Sequence, residues 1–176
     1  MSSDATNDKP GRPRLDALIA DLGIAMAEVT HPPVFTVDDV ENTPHGLPGL
    51  DTKNLFLKDA KGELFLVTIR SDRRADLKTL PALIGSKRLS FASAETLLDA
   101  LGVLPGSVTP LALVNDTQRR VRFSLDRALV EAEHIVCHPL VNTASVSLAT
   151  KDFFRLLGAL GVEAKIVDLD VEGTGR

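Results

Sequence analysis

The sequence contains no tryptophan and no tyrosine, and its large aromatic side chains are limited to seven phenylalanines. Proteins that hold single-stranded nucleic acid without sequence preference stack the bases on aromatic side chains. This chain has few aromatic residues that could form such a surface. Its formal net charge of −4 at pH 7 also argues against a generally basic surface that binds any nucleic acid, DNA included.

Cysteine and long apolar runs are scarce as well. The single cysteine, Cys137, has no partner for an internal disulfide, which favours a reducing, cytoplasmic location. No apolar run reaches the length of a membrane span, so we expect no membrane partner. Residues 1–12 lack the apolar core of a signal peptide and carry Asp4 and Asp8. We therefore expect a disordered leader there.

Several common catalytic motifs are missing too. The sequence has no GxSxG nucleophile turn, no phosphate-binding GxxxxGK[ST] loop and no GxGxxG dinucleotide motif. His31, His45, Cys137 and His138 do not fall in a CxxC or HExxH spacing. We therefore expect neither a cofactor nor a metal ion, and nucleotide hydrolysis and cofactor-dependent redox chemistry lack support.

Residues 13–172 are predicted to form one domain that contains both strands and helices. The clearest element is a β-hairpin in which the strands TKNLFLKD and ELFLVTIR flank a short turn with a glycine. The second strand is apolar on both of its faces, which predicts a central position in the sheet. Because strands and helices do not alternate strictly, we predict an α+β fold in which helices flank a mixed, curved, barrel-like sheet.

The remaining elements follow from apolar spacing and caps. A second helix is predicted around residues 75–84, a third over 94–101 with Ser93 as its cap, and a last one that Thr150 caps and Gly161 ends. A first amphipathic helix, ending near Gly23 to Ala27, is predicted from apolar residues at helical spacing: Leu15, Leu18, Ile19, Leu22 and Met26.

The predicted connections and further strands complete the fold. A short helix is expected to begin at Thr36, and residues 43–51 are expected to form a loop. Further strands are expected around residues 88–91, 121–126, 133–140, 144–149 and 162–169.

Cys137 and His138 are adjacent in the stretch VCHPL, which invites comparison with a catalytic Cys–His pair. In a strand, however, neighbouring side chains point to opposite faces. We therefore predict that Cys137 lies on the face of Ile135 as a small core residue, and that His138 lies on the face of Val136 and Leu140. A polar ring among apolar neighbours needs a partner, and the sequence leaves open whether that partner is structural or a substrate.

Two further features admit two interpretations each. Lys53 shares a strand face with Leu55 and Leu57, so its ammonium either extends to solvent at the strand end or faces an anionic or carbonyl group. The stretch LPGSVTP, residues 104–110, is either a plain turn or a rigid loop whose backbone N–H groups hold a carbonyl oxygen.

Taken in order, several motifs together resemble one family: HPPVFTVDD, TKNLFLKD, SKRLSF, LGVLPGSVTPLALVND, VRFSLD, HPLVNTA and ALGVEAKIVDL. The chain resembles the YbaK/ProX-type aminoacyl-tRNA deacylases, and among them the freestanding prolyl-tRNA editing proteins. The resemblance covers about residues 12–170. It implies hydrolysis of a mischarged amino acid from tRNA(Pro), with Ala-tRNA(Pro) as the substrate, at the acceptor end of the tRNA, with prolyl-tRNA synthetase as a transient partner.

The resemblance also implies site residues. The family's lysine falls on Lys53, its histidine on His138, and the glycine of its GxxxP loop on Gly106; these are the expected catalytic residues. Residues expected to bind substrate are Asn54, Ser107, Val108, Thr109 and Pro110, and those expected to bind tRNA are Lys87 and Arg88.

Two positions differ from the family pattern and two alternatives remain open. The position before the HPL motif varies in the family and is Cys137 here, which supports a non-catalytic thiol. The family often has histidine just before the TKN motif, where this chain has Asp51, so the role of that position is undetermined. The chain could instead be a non-catalytic module of the same fold that binds tRNA or a synthetase. It could also deacylate tRNA that carries another small amino acid, such as cysteine or serine.

Overall fold

A computed structural model describes residues 12–33 and 45–169 of the chain. The helix predicted at Thr36 and residues 1–11 of the predicted leader lie outside the described residues. The helices are α1 (Arg12–Asp21), α2 (Leu80–Ile84), α3 (Ala94–Leu101), α4 (Arg127–Val130) and α5 (Thr150–Leu160), with a 3₁₀ helix at Pro110–Asn115. The strands are β1 (Met26–Thr30), β2 (Leu50–Asp59), β3 (Leu64–Arg70), β4 (Leu89–Phe91), β5 (Val121–Asp126), β6 (His134–Cys137), β7 (Ala144–Ala149) and β8 (Ala164–Val167).

The strands form one mixed sheet in the order β1-β7-β6-β2-β3-β5-β8, with β4 paired to β2 off this path. The β1–β7, β7–β6, β2–β3 and β2–β4 pairs are antiparallel, whereas the β6–β2, β3–β5 and β5–β8 pairs are parallel. The predicted α+β class with a mixed sheet is confirmed. Within the described residues the end strands β1 and β8 do not pair with each other, so the sheet is open rather than a closed barrel.

The predicted β-hairpin is confirmed, and β3 is central as its composition indicated. Its alternate residues enter two different apolar clusters: Leu64 and Leu66 belong to the larger one, and Phe65, Val67 and Ile69 to the smaller one. The sheet is therefore buried on both faces at β3, which explains why this strand has no polar side. Within the described ranges no helix is long and apolar enough to cross a bilayer.

One edge of β2 is shared between two strands and leaves a gap. Residues Leu50 and Asp51 pair with β6, and residues 57–59 pair with β4. Between these two pairings the edge of β2 has no strand beside it, and Lys53 lies in this gap. The sheet therefore opens at the point where the sequence placed its first candidate catalytic residue.

Two of the helix predictions were wrong at their boundaries. Met26 belongs to β1 and pairs with Leu148, because the left-handed Gly23 ends the first helix before it. The helix predicted over residues 75–84 spans only the five residues of α2. Pro81 is the reason, because proline has no N–H to donate and fits only the first turn of a helix.

The predicted cap of the last helix was also wrong. Thr150 is the first helical residue, Ala149 occupies the cap position, and no side chain caps the helix there. The Thr150 backbone N–H donates instead to the Glu133 carbonyl at 2.9 Å. By contrast, Ser93 caps α3 through the N–H of Thr96, and the left-handed Gly161 ends α5, both as predicted.

Some strands and loops are shorter than predicted. Strand β6 ends at Cys137, and β8 covers only Ala164–Val167. The predicted loop over residues 43–51 gives way to β2 at Leu50, and Arg12, assigned to the leader, begins α1. Leu140 has a positive φ of 72° and packs in the same cluster as Cys137, so it does not share a strand face with His138 as predicted.

Gly49 permits the close approach that brings β2 to β6. Its φ is +122°, and a Cβ placed on it would lie 2.7 Å from the backbone carbon and oxygen of His134. Real Cβ atoms do not approach backbone so closely, so any side chain here would push the start of β2 away from β6.

We predict that Gly49→Ala destabilises the protein more than Gly46→Ala does. Gly46 also has a positive φ, but a Cβ there meets nothing within 4 Å. In the control, left-handed strain should lower the free energy of unfolding by only about 1–2 kcal/mol. In Gly49→Ala, steric overlap should lower it by about 1–3 kcal/mol more. Urea unfolding measures the free energy of unfolding of both variants. An equal decrease in the two would show that the close approach to His134 does not exclude a side chain at position 49.

Candidate active site

Lys53 occupies the gap in the sheet with its ammonium partly withdrawn from water. Its Nζ donates to the backbone carbonyl of Arg73, in the segment after β3. Burial lowers the pKa of Lys53, the nearby charge of Arg74 lowers it further, and Asp72 acts in the opposite direction. The ammonium is therefore held in place beside a second cation, which makes the pair suited to an anionic ligand such as a phosphodiester.

His138 follows β6 and is held in a single tautomer. Its Nδ1 lies 3.0 Å from the carbonyl oxygen of Ala144, and a carbonyl only accepts, so Nδ1 carries the proton. Burial lowers the pKa of His138 below its ordinary value, which keeps the ring neutral at pH 7. The lone pair is then on Nε2, which forms no hydrogen bond within the described residues.

The GxxxP loop lies directly beside the end of β6. Thr109, fully buried, is hydrogen-bonded through its side chain to the thiol of Cys137. The Ser107 N–H donates to the Leu104 carbonyl at 3.0 Å and is therefore occupied by the turn. The N–H groups of Gly106 and Val108 form no hydrogen bond within the described part of the chain, so they remain able to donate.

Lys53 and His138 lie on the same side of the sheet. Lys53 shares a strand face with Asp51, two residues earlier, and Asp51 pairs with Val136 across the β2–β6 ladder. The His138 ring is close enough to Asp51 for the carboxylate charge to act on it, so the histidine lies near this face as well.

The other predicted site residues lie apart from this face. Asn54 points to the opposite side, where its Oδ1 accepts from the hydroxyl of the buried Thr68. Lys87 and Arg88 are exposed at the far end of β2, where the Lys87 N–H donates to Asp59. Six residues of strand separate Asp59 from Lys53, which corresponds to about 20 Å.

The structure adds polar residues that the sequence did not assign to the site. The His31 ring centroid lies 6.2 Å from that of His138. His31 Nδ1 is 2.8 Å from the Pro32 carbonyl, and its Nε2 is 2.8 Å from the Ser145 hydroxyl. The carbonyl again requires a proton on Nδ1, so in the neutral ring Ser145 donates to Nε2. The motif HPPVFTVDD was the only sequence signal that pointed to His31.

Two more polar residues, His45 and Asp51, meet on the same face. The His45 Nε2 lies 2.8 Å from Asp51 Oδ1, and its Nδ1 accepts the Leu47 N–H at 2.9 Å. Despite this concentration of histidines, no group of three His, Cys, Asp or Glu residues in the described ranges is arranged to hold a metal ion.

Comparison with known proteins identifies the fold and the family. The model of the aminoacyl-tRNA editing domain matches residues 31–156. The chain belongs to the aminoacyl-tRNA editing domain family. Such domains hydrolyse the ester between an amino acid and its tRNA, which makes this editing protein a deacylase.

Relatives of this editing protein belong to its prolyl-tRNA branch. A Danio rerio protein described as prolyl-tRNA synthetase associated domain-containing protein 1 is 41% identical over 148 residues, which are 83% of this chain and 80% of that one. The prolyl-tRNA editing protein ProX of Acetoanaerobium sticklandii is 34% identical over 92% of this chain and 99% of its own. The resemblance inferred from the sequence motifs is thereby confirmed.

Solved structures of low identity share the fold of this editing protein. A candidate trans-editing enzyme for prolyl tRNA synthetase superposes with a TM-score of 0.63 at 19% identity, over 90% of this chain and 96% of that one. At this identity the likeness concerns the fold alone.

The structure also explains why Cys137 is poorly suited to be a nucleophile. The thiol is buried in the larger apolar cluster together with Ile135, as predicted. Burial raises its pKa to about 12, against which the hydrogen bond from Thr109 acts only weakly. The reactive thiolate is thus nearly absent at neutral pH.

We predict that Cys137 reacts very slowly with an aromatic disulfide reagent in the folded editing protein and rapidly after unfolding. With a pKa of about 12, on the order of one thiol in ten thousand is ionised at about pH 8. Thiol release followed by absorbance measures this, with Cys137→Ser as the blank. A folded protein that reacts as fast as the unfolded one would contradict the burial.

Proposed function

We propose that this editing protein hydrolyses Ala-tRNA(Pro) in trans to prolyl-tRNA synthetase. The observation that carries the proposal is the placement of Lys53 and the neutral His138 on one face of an open sheet, inside an editing domain. The relatives' descriptions refer to prolyl-tRNA editing and to the prolyl-tRNA synthetase, which supports tRNA(Pro) as the substrate tRNA and the synthetase as a transient partner.

Hydrolysis of an aminoacyl ester needs a positioned water and a polarised carbonyl rather than a full catalytic triad. In the proposed reaction, Lys53 and Arg74 hold the 3′-terminal phosphate. The free N–H of Gly106 or Val108 polarises the ester carbonyl. Ser107, Thr109 and Pro110, all buried, support the loop rather than donate from it.

His138 Nε2 accepts the proton of the attacking water, whose oxygen bonds to the carbonyl carbon. The bond from that carbon to the ribose oxygen then breaks, and the proton passes to the ribose oxygen. Free alanine and uncharged tRNA(Pro) result. His138 is thereby restored to its neutral state for the next turnover.

Discrimination against correctly charged Pro-tRNA(Pro) is proposed to be steric. A site that fits the alanine methyl group clashes with the larger proline ring, and exclusion by size can exceed the about 1–3 kcal/mol that one missing methylene provides by attraction. Lys87 and Arg88, about 20 Å along β2 from Lys53, are proposed to contact the acceptor stem rather than the ester.

The deacylase proposal predicts a large effect of Lys53→Ala and a small effect of Lys58→Ala. Both lysines lie on β2, but Lys58 is exposed at the far end of the strand. Loss of the Lys53 charge should lower kcat/KM on Ala-tRNA(Pro) by about a hundredfold or more, while Lys58→Ala should stay within about threefold. Release of radiolabelled alanine measures both.

The same assay separates the alternative functions. Equal hydrolysis of Ala-tRNA(Pro) and Pro-tRNA(Pro), or none above buffer, would contradict the proposal. Salt-dependent tRNA binding without ester cleavage would indicate a non-catalytic binding module. Faster cleavage of Cys-tRNA(Pro) or Ser-tRNA than of Ala-tRNA(Pro) would reassign the amino acid.

The role of His138 predicts an acid limb in the pH profile. The active form is the neutral ring, so activity falls as the pH decreases through the pKa of His138. Because burial lowers that pKa from 6.5, the midpoint of the fall should lie below pH 6.5. Single-turnover deacylation across pH measures the limb, and His138→Ala should remove it. A limb that persists in the variant would assign the proton transfer to another group.

A further inference from the structure

Asp51 places a carboxylate at the site that pairs with no lysine or arginine of the described residues. Its side chain is 34% exposed, and Oδ1 accepts only the His45 Nε2–H. Asp126 is by contrast fully matched: almost fully buried, it accepts the backbone N–H groups of Arg70 and Ala128 and faces the Arg73 guanidinium at 3.4 Å. The second oxygen of Asp51 has no partner in the described ranges.

His45 contacts only one oxygen of Asp51, and its other ring nitrogen is held by the backbone. The Leu47 N–H donates to Nδ1, so that nitrogen must keep its lone pair. A second proton on the ring would break this bond. The contact between His45 and Asp51 therefore orients the carboxylate through Oδ1 and leaves its second oxygen available.

The two other ionisable neighbours also leave the second oxygen of Asp51 without a partner. His138, on which the charge of Asp51 acts, is kept neutral by burial. Lys53 shares the strand face of Asp51, but its Nζ is bound to the Arg73 carbonyl, and its charged neighbours are Arg74 and Asp72. One carboxylate thus faces the site next to a neutral ring, oriented and available to a cation.

An aminoacyl-tRNA supplies such a cation at this location. Its α-ammonium lies one carbon from the ester carbonyl, so a carbonyl positioned for water attack beside His138 places the ammonium near Asp51. We propose that Asp51, oriented by His45, binds the α-ammonium of the aminoacyl group and selects substrates with a free amine. This inference rests on the proposed deacylase function and assigns a recognition role at the same site.

A binding experiment tests the inference without requiring turnover. The probes are the amide 3′-(alanylamino)-3′-deoxyadenosine and its propionylamino counterpart, which lacks only the ammonium. Titrations followed by NMR compare the wild-type protein, Asp51→Asn, which retains an acceptor for His45, and Asp99→Asn. Asp99 is exposed on α3 and pairs with Arg120, so it controls for the loss of one charge.

We expect the alanyl probe to bind about tenfold to a hundredfold more tightly than the propionyl probe, as is typical of a hydrogen bond to a charged group. The preference should persist in Asp99→Asn and nearly vanish in Asp51→Asn. An unchanged preference in Asp51→Asn, no preference in the wild type, or no binding of either probe would overturn the inference. If the probes behave as expected but no aminoacyl-tRNA is cleaved, the deacylase proposal fails and the ammonium site stands.

A second arm distinguishes recognition from base catalysis by Asp51. Deamination converts alanyl-tRNA(Pro) to lactyl-tRNA(Pro), which keeps the ester and replaces the ammonium with a hydroxyl. If Asp51 recognises the ammonium, Asp51→Asn should slow cleavage of the alanyl ester about tenfold or more and leave the lactyl ester unchanged. Equal slowing of both esters would instead make Asp51 the base and overturn the inference.

Discussion

The site depends on a short parallel contact between β2 and β6. Only two residue pairs, Leu50 with Ile135 and Asp51 with Val136, form this ladder, yet it joins the β1-β7-β6 part of the sheet to the part built around the hairpin. The Thr52 hydroxyl reinforces it by donating to the Val136 carbonyl at 2.8 Å. Because β2 then has no neighbour on this edge until it meets β4 at residues 57–59, the end of this short contact also marks the start of the gap at Lys53.

Backbone groups determine the charge pattern of the site. The carbonyls of Ala144 and Pro32 fix the proton positions on His138 and His31, and the N–H of Leu47 fixes that on His45. These partners are ordered by strands and turns, so the rings cannot readily change tautomer. The result is a row of histidines in defined tautomers with a separate ammonium at Lys53 and a separate carboxylate at Asp51, which suits a substrate that carries both a phosphate and an ammonium.

Local signals predicted the elements whose cause is local. The hairpin, the Ser93 cap and the Gly161 helix end all depend on residues within a few positions of each other, and each was predicted correctly. Errors arose where one local signal competed with another. Pro81 limited the length of α2, and the left-handed Gly23 ended the first helix, so that Met26 lies in a strand. Leu140 was assigned to the wrong face because a left-handed residue ended the regular alternation that the prediction assumed.

The sequence by itself determined the family, the hairpin and the candidates Lys53, Gly106 and His138, since motif order and alternation are properties of the linear chain. It also placed Cys137 correctly in the core. Only the tertiary structure brought Ser145 to His31 across 114 residues and oriented His45 toward Asp51. Strand register decides such contacts, and register depends on pairings between distant segments and on one close approach at Gly49. A single sequence does not specify these distances, so the role proposed for Asp51 could be inferred only from the folded chain.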